Sequence, residues 1–82
     1  MDDTGKRLAG CFRIVCPNLR ETEIPSASQQ TVADWDSVAA IIMMNVIEDE
    51  FGMEMDLDDL ANLDSFETVH AYLQKRLQVA RP

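Results

Sequence analysis

Residues 34–52 read DWDSVAAIIMMNVIEDEFG, and this stretch decides the fold. Its apolar residues predict a long helix over residues 37–50, with Asp36 or Ser37 in the N-cap position that favours Asp and Ser. Gly52 suits the residue just past the helix, where a left-handed conformation ends the hydrogen-bonded turns. The side chains predicted to face the core are Val38, Ile41 and Val46, with Met44, Ile47 and Phe51 as further candidates. Because apolar residues surround most of its circumference, we expect one side of this helix to face a partner or cargo.

A helix and a long connection are predicted before this stretch. One apolar stripe at helical spacing predicts a helix over residues 4–16, and it consists of Leu8, Cys11, Phe12 and Val15. Pro17 ends that helix, and residues 17–36 then form a polar connection of a length that is uncommon in compact domains. We expect this loop to be ordered, with its apolar residues against the core: Leu19, Ile24, Val32 and Trp35.

Two shorter helices are predicted after Gly52. Residues 56–60 resemble a short capped turn, and Asp64 with Glu67 matches the capping-box pattern at the start of a last helix. The inward stripe of that helix is predicted to be Phe66, Val69, Leu73 and Leu77, and its cations near the C-terminal end are Lys75, Arg76 and Arg81. The sequence therefore predicts an all-α single domain over residues 1–82, with four helices and a long loop between helices 1 and 2.

Charge is distributed unevenly along the chain. The net charge is −8, and no Lys or Arg occurs between Arg20 and Lys75. Such a surface repels phosphates, so no nucleic-acid partner is expected. The acidic middle of the chain would instead attract basic partner proteins, although a merely solvated acidic face is the alternative interpretation.

The cysteines and the hydropathy of the chain indicate where in the cell the protein is expected to be. Cys11 and Cys16 lack the spacing of a zinc or redox motif, so we expect two free thiols and a reducing cytoplasm. The acidic start of the chain predicts no signal peptide. No apolar run is long enough to span a bilayer, so no membrane partner is expected, and we expect a monomer.

No catalytic constellation is visible in the sequence. His70 is the single histidine, and it is expected to be a surface or partly packed residue. Neither a nucleophile elbow nor a phosphate-binding glycine loop is present, so catalysis by this chain is not expected. A calcium loop over residues 56–67 would place Leu60 and Ala61 where a ligand and a glycine are needed, so no metal site is expected.

Ser37 permits two interpretations. It can simply belong to the cap of the second helix. Alternatively, it carries a phosphodiester-linked arm, because the free N–H groups and positive dipole end of a helix start tolerate an attached phosphate. A flexible tether of that kind would present its cargo to partner enzymes at high effective concentration.

The combination of these features resembles the acyl carrier protein family, which includes the peptidyl carrier domains. Asp36-Ser37-Val38 resembles the Asp-Ser-Leu motif of that family, and it precedes a helix that ends in IEDEFG over residues 47–52. Residues 53–56 resemble the family's loop into its third helix, and residues 63–66 resemble the start of its fourth. The resemblance covers nearly the whole chain and is weakest in the N-terminal third.

The resemblance implies a four-helix bundle of acyl-carrier-protein type that acts as a carrier without catalytic activity of its own. Ser37 would receive 4′-phosphopantetheine from coenzyme A through a separate Mg²⁺-dependent phosphopantetheinyl transferase. The arm would then hold an acyl or aminoacyl thioester for acyl-loading ligases and for acyl-transfer or synthase enzymes, as in fatty acid biosynthesis. The predicted partner-binding residues are Asp36, Val38, Ile42, Glu48 and Asp49.

Three residues depart from the common fatty-acid pattern: Trp35, Ala39 and Ile42. Trp35 stands where that pattern has a small residue, and the other two replace acidic or polar residues of the second helix. These differences indicate a specialised lipid, polyketide or peptide-type pathway. The alternative is an unmodified helical module of the same fold that binds a partner helix through exposed apolar residues.

Overall fold

A computed structural model describes residues 2–79, with the side chains of residues 2–77. Over this part, four α-helices and one 3₁₀ turn follow in the order α1 (Asp3–Val15), the 3₁₀ turn (Ile24–Ser26), α2 (Ser37–Phe51), α3 (Leu57–Leu60) and α4 (Phe66–Val79). No strand occurs within it, and an isolated bridge joins Ser28 to Ser65. The fold is therefore all-α. Among the described residues no helix is long and apolar enough to cross a membrane.

Helix α1 begins at an aspartate cap and ends before a proline, close to the predicted bounds. The N–H of Gly5 donates to Asp2 Oδ1 at 2.8 Å, which satisfies one of the free donors at the helix start. At the other end the N–H of Cys16 reaches the carbonyl oxygen of Phe12 at 2.7 Å. The predicted stripe is confirmed for Leu8, Cys11 and Phe12, which are buried, and the fourth residue, Val15, is partly buried against the core.

The long loop before α2 is ordered, as predicted. Ile24 and Trp35 are 0% and 2% exposed, and Leu19 and Val32 pack partly buried against the core. Backbone hydrogen bonds also fasten the loop to the start of α4. The N–H of Gln29 donates to the carbonyl of Asp64 at 2.8 Å, and the N–H of Phe66 donates to that of Ala27 at 2.9 Å.

Helix α2 has the predicted bounds within one residue, but only part of its predicted inward face is buried. Val38 and Ile41, which were predicted to be buried, are 65% and 47% exposed. The inward residues are Ala39, Ala40, Met43, Met44 and Ile47. The prediction was confirmed for Met44 and Ile47, which are buried, and Val46 and Phe51 are partly buried against the core. It was wrong at Val38 and Ile41 because apolar residues surround most of this helix, so their period does not single out one side. Gly52 ends α2 in the left-handed conformation, with φ 61°, as expected.

The cap of α4 also differs from the prediction by one residue. The Ser65 hydroxyl accepts from the N–H of Thr68, and the Thr68 hydroxyl accepts from the N–H of Ser65, each at 3.1 Å. This reciprocal pair is the capping box, so the prediction of Asp64 and Glu67 was wrong. In α4 itself Phe66, Val69 and Leu73 are buried and Leu77 is half-buried, as predicted. Arg81 lies outside the described residues.

Both cysteine thiols lie in the core and are free, as predicted. Burial raises the pKa of Cys11 to about 11 and also raises the pKa of Cys16. Because the thiolate is the reactive form, these thiols are poor nucleophiles at neutral pH.

One polar cluster joins the start of α1 to α4. Asp2 accepts from Gly5 at 2.8 Å, from the ring Nε2 of His70 at 2.9 Å and from the amide of Gln74 at 2.6 Å. The hydrogen bond from the Gly5 backbone, followed by those from His70 and Gln74, lowers the pKa of Asp2 from 3.8 to about 2. His70 is therefore a partly packed residue of this cluster, in line with the sequence prediction.

The shifted pKa of Asp2 predicts a pH-dependent contribution to stability. Because its folded-state pKa lies below the ordinary value of 3.8, the contribution is present above that pH and is lost as the pH falls towards 2. The matched variant is Asp2→Asn, which can still cap α1 but carries no charge. In urea unfolding from pH 6 to pH 2, we expect the advantage of the wild type over this variant to shrink below pH 4. An advantage that is constant down to pH 2 would contradict the role of Asp2.

Candidate functional site at the start of α2

The start of α2 separates the capping residue from the exposed hydroxyl. Asp36 has an extended backbone, its Oδ1 accepts from the N–H of Ala39 at 2.8 Å, and its carbonyl accepts from Ala40 at 2.9 Å. Asp36 is therefore the N-cap, which decides between the two predicted caps. Ser37 is the first helical residue, and its side chain is exposed.

Rigid packing lies behind Ser37. Trp35 is 2% exposed, and its ring meets the ring of Phe12 edge to face at a centroid distance of 5.1 Å. Ala39 and Ala40 are buried on the next turn. The hydroxyl is thus held between a buried residue on one side and a buried helical face on the other, while its own side remains open to solvent.

A groove between α2 and α3 runs beside Ser37. It has a volume of about 350 Å³ and is lined by Gln29 of the loop, by Ser37, Ala40 and Ile41 of α2, and by Leu57, Leu60 and Ala61 around α3. Leu57 is 67% exposed.

Side-chain contacts from α4 fix the position of α3. The hydroxyl of Tyr72 donates to Asp59 Oδ2 at 3.1 Å, and Arg76 donates to that hydroxyl at 2.8 Å and to the carbonyl of Glu54 at 2.9 Å. Burial, together with the hydrogen bond to Asp59, raises the pKa of Tyr72, so the phenol stays protonated at neutral pH. These contacts hold one wall of the groove in place.

Exposed apolar side chains surround the site. We call Val38, Ile41, Ile42 and Leu57 the apolar patch, and each is at least 47% exposed. The first three lie on one face of α2 at helical spacing, and Ile41 and Leu57 also line the groove. Val38 and Ile42, two of the predicted partner-binding residues, are therefore on the same exposed surface as Ser37.

The acidic run at the far end of α2 is largely engaged within the chain. Glu48 is half-buried and accepts from the N–H of Met55 at 2.8 Å. Glu50 pairs with Arg7 of α1 at 2.9 Å, and the same guanidinium lies over the ring of Phe51. Asp49 is exposed. Glu48, one of the two predicted partner-binding acids in this run, therefore also stabilises the chain after α2 through its hydrogen bond to Met55.

The described part of the chain contains no cluster of metal-binding side chains. Among residues 2–79 no three His, Cys, Asp or Glu side chains are placed to hold a metal ion. Residues 57–60 form a helical turn, and Asp59 accepts from Tyr72.

Comparisons with known proteins leave the family open. Neither the comparison with protein-family models nor the comparison with curated proteins finds a match.

The geometry of the cap predicts which of two neighbouring residues stabilises α2. Replacing Asp36 by Ala should lower the free energy of unfolding by about 1 kcal/mol, because the N–H of Ala39 loses its acceptor. Asp36→Asn keeps an acceptor and should stay within about 0.5 kcal/mol of the wild type. Ser37→Ala should also stay within about 0.5 kcal/mol, because its side chain is exposed. Urea unfolding of the three variants measures this, and a larger loss for Ser37→Ala than for Asp36→Ala would refute the assignment.

Proposed function

We propose that this chain is an acyl carrier protein, a four-helix bundle of that type in which Ser37 carries a 4′-phosphopantetheine arm. The observation that carries the proposal is the placement of an exposed Ser37 at the first position of α2, directly after the Asp36 cap and beside the groove. The order and lengths of the helices, with the long loop before α2, support the same proposal.

The residues around Ser37 fit a phosphate-linked arm. The N–H groups of the first helical turn have no acceptor within the helix, and the Asp36 side chain takes up that of Ala39. The remaining donors and the positive end of the helix dipole favour a phosphate on the Ser37 oxygen. The groove beside Ser37 offers apolar contacts from Ile41, Leu57 and Leu60 to a flexible chain.

In this function the chain binds and presents, and it performs no catalysis itself. The arm supplies a terminal thiol that holds an acyl or aminoacyl group as a thioester. Asp36 and the packed Trp35 fix the position of the helix start from which Ser37 projects. A fixed point of attachment gives the cargo a defined reach towards each partner's active site.

The surface beside Ser37 suits the docking of enzymes whose own contact area is basic and partly apolar. We assign this role to Asp36, Val38, Ile42, Glu48 and Asp49, as the resemblance implies. The partners are the phosphopantetheinyl transferase, an acyl-loading ligase and acyl-transfer or synthase enzymes of a specialised lipid, polyketide or peptide-type pathway. A cytoplasmic location and a monomeric state stay predictions, the former resting on two free thiols.

The modification itself is tested by mass. The full chain is incubated with coenzyme A, Mg²⁺ and a broad-specificity phosphopantetheinyl transferase, and its intact mass is recorded. We expect one phosphopantetheine adduct, absent from Ser37→Ala and retained in Ser26→Ala, which changes another exposed serine. Absence of the adduct from the wild type, or an adduct on Ser37→Ala, would contradict the proposal.

A charge introduced into the apolar patch is expected to weaken partner recognition. Ile42→Asp should slow modification of Ser37 about tenfold, which corresponds to about 1.4 kcal/mol of lost interaction with the transferase. The matched control is Ile14→Asp on α1, where the isoleucine is 68% exposed but lies on another helix. It should leave the rate unchanged, and melting curves verify that both variants fold. Equal rates of Ser37 modification in the two variants would show that the patch takes no part in partner binding.

The second candidate is an interaction module that carries no arm. The exposure of Val38, Ile41, Ile42 and Leu57 favours it, since an apolar face of this kind suits a helix of another protein. Under this alternative Ser37→Ala leaves partner binding intact, whereas Ile42→Asp abolishes it. A carrier instead loses its function with Ser37.

A further inference from the structure

The long loop before α2 encloses a second concave surface, which we call the loop pocket. It consists of two depressions of about 200 and 290 Å³. They adjoin each other because four side chains line both: Leu19, Glu23, Thr31 and Val32. The residues that line the loop pocket and those that line the groove beside Ser37 are different. The function proposed for Ser37 therefore leaves the loop pocket without a role.

Apolar side chains run along both depressions of the loop pocket. Leu19 and Val32 line both and pack partly buried against the core. Buried residues complete the apolar lining, with Cys16 in one depression and Ala27 in the other. An alkyl stem laid into the loop pocket would therefore meet apolar atoms along its length.

Two exposed carboxylates belong to the same surface, Glu23 and Asp34. Glu23 Oε1 accepts from the N–H of Arg20 at 3.1 Å, and Asp34 Oδ2 accepts from the amide of Asn18 at 3.4 Å. Within residues 2–77 neither carboxylate forms an ion pair with a Lys or Arg side chain. Burial raises the pKa of Cys16, and the negative charge of Asp34 raises it further, so this charge acts on the lining of the loop pocket.

Size and charge together select the occupant. Pockets that hold drug-sized ligands have volumes of roughly 300–1,000 Å³, so each smaller depression suits a single side chain better than a whole small molecule. An apolar lining with two carboxylates complements an alkyl stem with a cationic head. Arginine fits this description better than lysine, because its planar guanidinium can donate to two carboxylates at once. The net charge of −8 also attracts cationic partners towards the chain.

We propose that the loop pocket binds an arginine side chain of a partner protein, with the stem on Leu19 and Val32 and the guanidinium facing Glu23 and Asp34. This contact is separate from the apolar patch on α2 and α3. It does not require an arm on Ser37, so it is independent of the proposed function.

The test follows the methyl signals of Leu19 and Val32 in ¹H–¹³C spectra of the full, unmodified chain. The chain is titrated with the peptide acetyl-Ala-Arg-Ala-amide, and separately with the same peptide in which citrulline, a neutral isostere, replaces arginine. We expect the arginine peptide to shift these signals and to bind about fivefold more tightly than the citrulline peptide. The difference should shrink as the salt concentration is raised to about 0.5 M, because exposed charges are then screened.

Two double variants separate the loop pocket from the overall charge. Glu23→Gln with Asp34→Asn should abolish the preference for arginine over citrulline. The matched control is Asp3→Asn with Glu54→Gln, which removes as much charge at the opposite ends of α1 and α2 from the loop pocket, and it should retain the preference.

The wild-type chain alone can overturn the inference, whether or not every variant folds. It is overturned if the Leu19 and Val32 signals stay in place with the arginine peptide, or if the two peptides bind equally. A control variant that also loses the preference would overturn it too. Shifts of these signals on concentrating the chain alone would assign the loop pocket to a second copy and overturn it as well. A chain that acquires no arm on Ser37 refutes the proposed function and leaves the peptide result standing.

Discussion

The edge-to-face contacts of Phe12 are the constraint on which the rest of the structure depends. This one ring meets Trp35 at 5.1 Å and Phe66 at 5.3 Å, so α1 holds both the end of the long loop and the start of α4. Once Trp35 is buried, the next residue, Asp36, is placed to cap α2, and Ser37 emerges at the surface. Aromatic pairs of this geometry contribute about 0.5–1.5 kcal/mol beyond the area they bury. The proposed attachment point is therefore a consequence of the core.

Local signals in the sequence predicted where the helices begin and end better than they predicted which face of each helix is buried. Pro17 and Gly52 mark helix ends that the structure confirms within about a residue. The inward face of α2 was wrong at Val38 and Ile41, because a helix that is apolar on most sides gives no preferred direction. At α4 the capping pair is Ser65 with Thr68 and not the predicted Asp64 with Glu67. Ala27 and Gln29 of the loop bind the backbone of Phe66 and Asp64 at this helix start.

The candidate site was predictable only in part. Exposure of Ser37 follows from its place at a helix start, which the sequence indicates. The groove depends on where α3 lies, and this is determined by long-range contacts such as that of Tyr72 with Asp59. The acidic residues likewise divide in a way that composition does not reveal. Glu48 and Glu50 stabilise the end of α2, whereas Asp49 remains exposed.

The central claim is that Ser37 is a tether point. This claim is tested most directly on protein isolated from the cells that make it. The protein is isolated from its natural source without exposure to added coenzyme A or transferase, and the peptide that contains Ser37 is sequenced by tandem mass spectrometry. The account predicts a phosphopantetheine group on Ser37, and its release as a characteristic fragment. A peptide with Ser37 always unmodified, under every growth condition in which the protein is made, would contradict it.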